Sequence, residues 1–170
     1  NSTFGALFIV STPLGNLKDI TLRALNIMKN SYLIAAEDTR KSQILLNEYN
    51  IKTKMISYHE HNSHNRIKTI ISYLKDGKNI ALISDAGTPG ISDPSYRLIR
   101  SAIENEITVN SIPGPSAFLT ALTSSGLPTD NFFFAGFLPP KKGRKSKLDE
   151  LSKLNSTLIL YENPKSLLKT

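Results

Sequence analysis

A ten-residue segment from Asp85 to Pro94 carries the residue types best suited to holding a ligand. Two glycines and two prolines fix an unusual backbone path there. Gly87 and Gly90 allow the backbone to approach a ligand closely or to adopt positive φ, and Asp85 can accept a hydrogen bond from an amino or hydroxyl group. The segment is predicted to line a ligand site, with a tight structural turn as the alternative.

Two carboxylates stand beside an arginine in the run Glu37-Asp38-Thr39-Arg40. Such a group can take a proton, orient a hydroxyl or hold a phosphate. The alternative is structural: Asp38 or Thr39 caps a helix, and the charges form a surface ion pair.

A third polar cluster contains His59, Glu60, His61 and His64. The spacing matches no established zinc arrangement, and the chain has no cysteine, so no metal site is predicted. The histidines either face a substrate or are simply exposed. The chain also lacks G-x-G-x-x-G after its first apolar run and lacks a P-loop, which argues against ordinary NAD and ATP sites.

The basic stretch Lys141–Lys147 holds five cations in seven residues and could bind phosphates. The net charge of +7, from 21 Lys and Arg against 14 Asp and Glu, suits a polyanionic partner such as nucleic acid. A solvated basic surface is the alternative in both cases. The neighbouring Phe132–Phe134 alternate too little for a base-stacking surface and are predicted to form core.

Five short apolar runs must position these groups. The strand candidates are Leu7–Val10, Tyr32–Ala36, Lys54–Tyr58, Ile80–Ser84 and Ile107–Ile112. Helical patterns separate them, so strand and helix alternate four times, which predicts an α/β fold with a mainly parallel sheet flanked by helices. The polar and Gly/Pro-rich segments all follow strands. Ligands bind parallel sheets at that edge, so one shared cleft is expected.

Three helices show an apolar stripe with i, i+3, i+4, i+7 spacing or close to it. The stripes are Ser42, Leu45, Leu46 and Tyr49; Ile67, Ile70, Ile71 and Leu74; and Leu98, Ile99, Ala102 and Ile103. Ser63 is predicted to cap the second of these helices and Gly77 to end it. Asp93-Pro94 precedes the third, as a cap residue followed by a proline suited to the first turn.

Pro113-Gly114-Pro115 interrupts this pattern and predicts a domain boundary. Residues 1–112 form an N-terminal α/β domain, and residues 113–170 form the start of a C-terminal α/β domain. A helix over 116–125, strands Phe132–Phe137 and Thr157–Tyr161 with a helix between them, and a new helical start after Asn163-Pro164 are expected. These elements are too few to close a core, which predicts a truncated second domain or one completed by a partner.

No apolar run approaches the roughly 18 residues of a membrane span, and no secretory signal begins the sequence. A cytoplasmic location with no membrane partner is therefore expected.

Six segments, in order along the chain, resemble the ribosomal RNA small subunit methyltransferase I family, which belongs to the tetrapyrrole methylase superfamily. They cover residues 7–25, 35–40, 57–62, 84–94, 113–117 and 125–139, and the likeness extends to about Leu168. Relatives that methylate porphyrinoids usually have a glycine-richer loop after the first strand and the motif G-D-P after the fourth strand. The segments Thr12–Asn16 and Ser84–Gly87 depart from both patterns and favour the rRNA branch.

The resemblance implies two α/β domains that bind S-adenosylmethionine in the cleft between them. The implied reaction is 2′-O-ribose methylation of a cytidine in 16S ribosomal RNA, with the rRNA or the 30S subunit as partner and a homodimer as assembly. The expected cofactor-binding residues are Pro13, Gly15, Asp85, Ala86, Gly87, Ile91, Ser92, Ser116, Ala117 and Tyr161.

Methyl transfer to a ribose hydroxyl needs a base or an orienting acceptor, and Glu37 and Asp38 are the candidates, with Arg40 holding a nearby phosphate. The expected RNA contacts are His59, His61, Lys141, Lys142, Arg144, Lys145 and Lys147. Two alternatives remain open: a methyltransferase acting on a porphyrin-like small molecule, and a non-catalytic RNA-binding fragment.

Overall fold

Strands and helices alternate through the first two thirds of the chain in a computed structural model, which describes residues 3–167. The chain divides between Ser116 and Ala117 into two units. The predicted boundary after Ile112 lies four residues before this division. The first unit contains strands β1 (Leu7–Val10), β2 (Leu33–Ala36), β3 (Met55–Ser57), β4 (Ile80–Ile83) and β5 (Val109–Ile112), with helices α1 (Leu22–Asn30), α2 (Thr39–Glu48), α3 (Ser63–Lys75) and α4 (Ser95–Glu104).

The five strands form one sheet in the order β3-β2-β4-β1-β5, and every neighbouring pair is parallel. Each strand lies within one of the five predicted runs, and the expected α/β fold with a mainly parallel sheet is confirmed. The two central strands, β2 and β4, are buried at every residue. Covering helices on both faces explain why their sequences are continuously apolar rather than alternating.

Two apolar clusters cover the two faces of this sheet. Leu7, Leu82 and the helices α3 and α4 share one cluster, and Val10, Ile83 and the helices α1 and α2 share the other. The helices that follow the adjacent strands β1 and β4 thus lie on opposite faces. Such a divergence opens a crevice beyond the carboxyl ends of the two strands.

The helix stripes are mostly buried as predicted, with two corrections. Ser63 is the first residue of α3 and not its cap, because Asn62 occupies the cap position and the Ser63 hydroxyl donates to the Glu60 carbonyl. Ile103 is 61% exposed, because the buried stripe of α4 is carried by Leu98 and Ala102. Gly77, with φ +79, follows the end of α3 as predicted.

The second unit contains α5 (Ala117–Ser124), β6 (Phe132–Phe137), α6 (Arg144–Leu151) and β7 (Thr157–Tyr161). β6 and β7 pair in parallel, with a register shift between Phe134 and Gly136. The prediction that Phe132–Phe134 form core is wrong for Phe132 and Phe133, which are 39% and 42% exposed. The reason is that the two-stranded sheet leaves these rings partly uncovered among the described residues. The predicted helical start after Pro164 extends into residues 168–170, which lie outside the described part.

Across residues 3–167, no helix combines the length and the apolar character that crossing a bilayer requires.

Candidate active site

A crevice of about 310 Å³ lies at the carboxyl ends of β1 and β4, and we call it the β1/β4 crevice. The loop after β1, the first half of α2 and the end of β4 form its walls. Half of its lining side chains are apolar, and the polar groups that converge on it include Thr12, Lys41, Ser84 and Asp85. A concave, partly apolar site with a few polar groups is typical of small-molecule binding.

The loops after β1 and β4 are joined by their own backbone. Thr12 N–H donates to the Gly87 carbonyl and Gly87 N–H donates to the Thr12 carbonyl, both at 2.9 Å. These reciprocal hydrogen bonds form a one-residue antiparallel bridge above the parallel sheet. The bridge joins the two loops through main-chain groups and helps to fix one wall of the crevice.

Two hydroxyl contacts connect the loop after β5 to the loops that follow β1 and β4. The Ser11 and Thr88 hydroxyl oxygens lie 2.9 Å apart, and the Thr88 hydroxyl donates to the Pro115 carbonyl at 2.9 Å. Gly114 packs against Ser11 so closely that a Cβ atom there would lie 2.8 Å from the Ser11 Cβ. The Pro-Gly-Pro segment therefore needs its glycine for close approach.

Gly87 is buried and has φ +74, a conformation that L side chains rarely adopt. A Cβ atom at this position would lie 3.0 Å from Leu14 Cδ2. Both facts make glycine the residue that the bridged loop requires. The sequence prediction that Gly87 serves an unusual backbone path is thus explained by its φ and by the Leu14 contact.

Asp93 organises the far end of the same loop. Its carboxylate accepts hydrogen bonds from Gly90 N–H at 2.8 Å and from Ser95 N–H at 2.7 Å. It thereby serves the first turn of α4. The prediction of Asp93 as the cap with Pro94 in the first turn is wrong by one residue, because Pro94 occupies the cap position and α4 begins at Ser95. The Tyr58 hydroxyl donates to the Pro94 carbonyl at 3.1 Å, which links this loop to the end of β3.

The Asp85 carboxylate connects β4 to the start of α2. Its Oδ1 accepts the Asp38 backbone N–H at 3.0 Å, and its Oδ2 accepts the Lys41 Nζ at 2.5 Å. The hydrogen bond and charge of Asp85 raise the pKa of Lys41. Lys41 is not among the residues predicted for the site from sequence, although it lines the crevice. Its place in the first turn after Asp38 is the signal that could have identified it, because helical side chains lean towards the N-terminus.

Glu37 directly follows β2 and belongs to this group of charges. Burial raises its pKa above the ordinary value, and the negative charges of Asp85 and Asp93 raise it further. The Lys41 cation and the Asp85 backbone N–H oppose the rise. A carboxylate that is less acidic than usual and sits beside a ligand crevice suits a general base.

Asp38 and Arg40 make the contacts that the structural alternative predicted. The Asp38 carboxylate caps α2 by accepting Arg40 N–H, and it forms two further hydrogen bonds with the Arg40 guanidinium at 3.1 and 3.2 Å. These hydrogen bonds lower the pKa of Asp38. An acidic, already paired carboxylate is a weaker base than a carboxylate whose pKa is raised, as that of Glu37 is.

His59 and His61 lie after β3, with ring centroids 6.0 Å apart. His59 Nε2 lies 3.2 Å from the Asn62 amide nitrogen, and its Nδ1 is buried with no hydrogen-bond partner among residues 3–167. His61 is exposed. In that same part of the chain, no group of three His, Cys, Asp or Glu side chains is arranged to hold a metal ion.

Four of the ten predicted cofactor residues line the β1/β4 crevice: Pro13, Gly15, Asp85 and Ala86. Ser92, whose φ of +58 is unusual for a residue with a side chain, lines a separate hollow of about 330 Å³ with Glu60 and Arg97. Ile91 is 37% exposed. Ser116 ends the first unit, and Ala117 and Tyr161 belong to the second, where the Tyr161 ring contacts Phe134 and Phe137 edge-on.

The basic stretch lies in the second unit, at the start of α6. Arg144 forms an ion pair with Glu162 at 3.2 Å, and Lys147 forms one with Glu150 at 2.8 Å. Lys141, Lys142 and Lys145 are exposed. Three of the five cations predicted to contact RNA are thus exposed to solvent, and the other two form ion pairs within the second unit.

A parallel sheet of this order, with a bridged crevice at its carboxyl edge and no dinucleotide or P-loop fingerprint, defines an α/β ligand-binding domain of the methylase type. The chain belongs to the tetrapyrrole (corrin/porphyrin) methylase family, whose sequence model matches residues 6–170. Within it, the chain groups with proteins named ribosomal RNA small subunit methyltransferase I, and the family expected from the sequence is confirmed.

The relative from Halalkalibacterium halodurans is 52% identical over 167 residues, which are 98% of this chain and 58% of that protein. The relative from Thermotoga maritima is 48% identical over 98% of this chain and 75% of that protein. A third, from Mesorhizobium japonicum, is 52% identical over 95% of this chain and 55% of its own length. The chain thus spans little more than half the length of two of these relatives.

Solved structures share the fold at low identity. A conserved hypothetical protein of Aeropyrum pernix K1 superposes with a TM-score of 0.72 at 20% identity, covering 95% of this chain and 60% of that one. The uroporphyrin III C-methyltransferase of Thermus thermophilus gives 0.65 at 16% identity, covering 97% and 76%.

Proposed function

We propose that this chain is part of an S-adenosylmethionine-dependent enzyme that methylates the ribose 2′-hydroxyl of a cytidine in 16S ribosomal RNA. The observation that carries the proposal is the near 50% identity, over almost the whole chain, to relatives named ribosomal RNA small subunit methyltransferase I. The β1/β4 crevice supplies the physical site for it.

The residues of the crevice fit S-adenosylmethionine. The apolar side chains of Leu17, Ile44 and Ile83 offer a surface for an adenine ring. The Asp85 carboxylate and the Lys41 ammonium offer charges complementary to the ammonium and carboxylate of the methionyl group. The crevice volume of about 310 Å³ lies at the lower end of the usual range for ligand sites, which suits partial enclosure by this unit.

When bound, S-adenosylmethionine supplies an electrophilic methyl group on a sulfonium. The protein's task is to hold a ribose oxygen in line with that methyl and to accept the proton the hydroxyl loses. Glu37 is the residue proposed to accept the proton, because its raised pKa makes it a stronger base than an ordinary carboxylate. Asp85 positions the start of α2 through the Asp38 backbone N–H, which fixes the approach of Glu37 to the crevice.

The experiment that tests the reaction is RNA mass spectrometry of 30S subunits from a strain that lacks the gene. One ribose methyl on the small-subunit rRNA should disappear in the deletion strain and return when the gene is restored. An unchanged methylation pattern would rule out this substrate. In that case, transfer of a labelled methyl group to a porphyrin-like acceptor in vitro would separate the small-molecule alternative from a non-catalytic RNA-binding role.

Two further parts of the proposal follow from the family likeness. A homodimer is expected, and analytical ultracentrifugation of the full protein measures it directly. The proposed rRNA substrate also implies a location where small ribosomal subunits are found, which in a bacterium is the cytoplasm.

Asp85→Asn is expected to weaken S-adenosylmethionine binding by about tenfold, because a charge-assisted hydrogen bond to the ligand is lost. Thermal stability should change little, because the Lys41–Asp85 pair is partly exposed and such pairs contribute at most about 1 kcal/mol. Isothermal titration calorimetry measures the affinity. Asp76→Asn, at the end of α3, is the matched control and should bind normally. Equal affinity of Asp85→Asn and the unmodified protein would remove Asp85 from the site.

A further inference from the structure

A second hollow, of about 580 Å³, lies beside the edge strand β3, and we call it the β3-edge hollow. Elements α2, β3 and α3 each contribute to it. Its polar lining consists of Thr39, Arg40, Gln43, Ser57 and Arg66. None of its lining residues is acidic, so two guanidinium groups share a surface that holds no compensating carboxylate of its own.

Arg66 is the residue without an explanation in the fold. It is partly buried, yet its guanidinium makes no hydrogen bond or ion pair with any residue from 3 to 167. The Arg66 guanidinium nitrogens are not among the buried unpartnered polar atoms, so they remain accessible from solvent. Five N–H donors in a fixed fork are therefore left to face an oxygen-rich anion.

Arg40, which also lines the hollow, likewise has N–H donors available for an anion. Asp38 engages its Nε and one hydrogen of Nη2, which leaves three of the five N–H donors open. The side chain is 90% exposed, so these donors are accessible. The hydroxyl groups of Thr39 and Ser57 add neutral donors to the lining of the same hollow.

The β3-edge hollow is connected to the crevice through one residue. Asp38 is paired with Arg40 on the hollow side, and its backbone N–H donates to Asp85, which lines the β1/β4 crevice. Glu37, the proposed base, directly precedes Asp38 in the sequence. The start of α2 thus contributes residues to both sites, Arg40 to the hollow and Lys41 to the crevice.

We propose that the β3-edge hollow binds a phosphate of the RNA backbone next to the nucleotide being methylated, with Arg66 as its principal ligand. This inference rests on the proposed function and adds to it a docking point for the substrate. Arginine forks match phosphate oxygens in geometry and charge. The open, shallow form of the hollow suits a strand lying across it better than a small molecule held on all sides. Arg66 is thus a positioning residue.

Arg66→Ala tests the proposal in the full protein, with 30S subunits from the deletion strain as substrate. The KM for 30S subunits should rise about tenfold while kcat falls less than twofold, because a contact outside the reacting atoms contributes to binding. The slope of log K against log salt concentration should become shallower by about 0.7 to 0.9, as for the loss of one phosphate contact. Arg66→Lys should recover part of the affinity.

Lys68→Ala is the matched control, because Lys68 lies on the same helix, carries the same charge and lines a different hollow. It should leave both KM and the salt slope near those of the unmodified protein. Circular dichroism and S-adenosylmethionine affinity check that each variant is folded. Equal behaviour of Arg66→Ala and Lys68→Ala would overturn the inference.

Inorganic phosphate, added at constant ionic strength, separates an RNA contact from a site for the free anion. Competition by phosphate that is lost in Arg66→Ala, together with the raised KM, supports the proposal. Loss of phosphate binding with an unchanged KM for 30S subunits contradicts it. Failure of the unmodified protein to methylate 30S subunits would refute the proposed function instead. Phosphate binding by the unmodified protein and by Arg66→Ala is measured without methyl transfer, so the two failures can be told apart.

Discussion

Glu37→Gln is expected to lower kcat for methyl transfer by about 10² to 10⁴, the usual contribution of a positioned general base. Glutamine has nearly the same shape as glutamate but cannot accept the proton of the ribose hydroxyl. Affinity for S-adenosylmethionine should stay close to that of the unmodified protein, because the crevice walls are formed by Thr12, Lys41 and Asp85. Single-turnover kinetics with saturating cofactor and 30S subunits measures the chemical step directly.

The pH dependence provides a second test of the same assignment. A base must be deprotonated, so the rate should rise with pH through the raised pKa of Glu37 and then level off. This rising limb should be absent from the residual activity of Glu37→Gln. Glu48→Gln, at the exposed end of α2, is the matched control and should keep both the rate and the limb. Full turnover by Glu37→Gln with normal cofactor binding would show that another group takes the proton.

The same pKa shift has a consequence for stability with a definite sign. Because folding raises the pKa of Glu37, its ionised form is disfavoured in the folded state at pH values above that pKa. The penalty is relieved as the pH falls and the group takes up a proton. Glu37→Gln is therefore expected to melt at a slightly higher temperature than the unmodified protein near pH 7, while losing activity. Stability lost for function in this way is common at active sites.

Asp38→Asn separates the two candidate carboxylates. Asparagine is as good a helix N-cap as aspartate, so α2 should keep its start. Retention of most of the activity by Asp38→Asn, beside a large loss in Glu37→Gln, would assign the base to Glu37 alone. The opposite result would place the base at Asp38.

Gly87→Val is expected to weaken S-adenosylmethionine binding by about tenfold to a hundredfold while the fold persists. A β-branched residue held at φ +74 costs about 1–3 kcal/mol in strain, and its Cβ would press on Leu14. The loop would relieve the strain by moving away from Thr12, which breaks the bridge and displaces one wall of the crevice. Isothermal titration calorimetry measures the affinity, and circular dichroism measures the fold.

Gly77→Val provides the control for backbone strain alone. Gly77 has a closely similar φ of +79, but it precedes β4 and so lies at the opposite end of the sheet from the crevice. Its variant should lose some stability and keep its affinity for the cofactor. Equal affinities for Gly87→Val and the unmodified protein would show that the bridged loop takes no part in binding.

The sheet could be predicted from sequence because its signals are local and repeated. Apolar runs of four to six residues, separated by helical stripes, leave few arrangements other than a parallel α/β sheet. The second unit was less predictable. Whether Phe132 and Phe133 are covered depends on which elements pack over β6, and no local pattern records that. The start of a helix can likewise be predicted from sequence only to within about one residue. Ser63 was the predicted cap of α3, whereas Asn62 occupies that position.

The candidate site was predictable as far as its position in the fold. Four of the predicted residues follow β1 or β4, which are neighbours in the sheet: Pro13, Gly15, Asp85 and Ala86. The rule that ligands bind beyond the carboxyl ends of parallel strands was therefore enough to predict that they lie close together. Lys41 was missed because a lysine on a polar helix surface usually faces solvent. Its role depends on the contact with Asp85, 44 positions away, and on the strand order that places α2 beside β4. For Asp38 and Arg40 the structural alternative was predictable from sequence, and their hydrogen bonds show that both residues make those contacts.

The reciprocal hydrogen bonds between Thr12 and Gly87 have a consequence for the thermodynamics of ligand capture. Since these main-chain hydrogen bonds and the Ser11–Thr88 hydroxyl contact hold the two loops together, this wall has its shape before any small molecule arrives. Little conformational entropy is then lost there on binding, and more of the contact energy remains available as affinity.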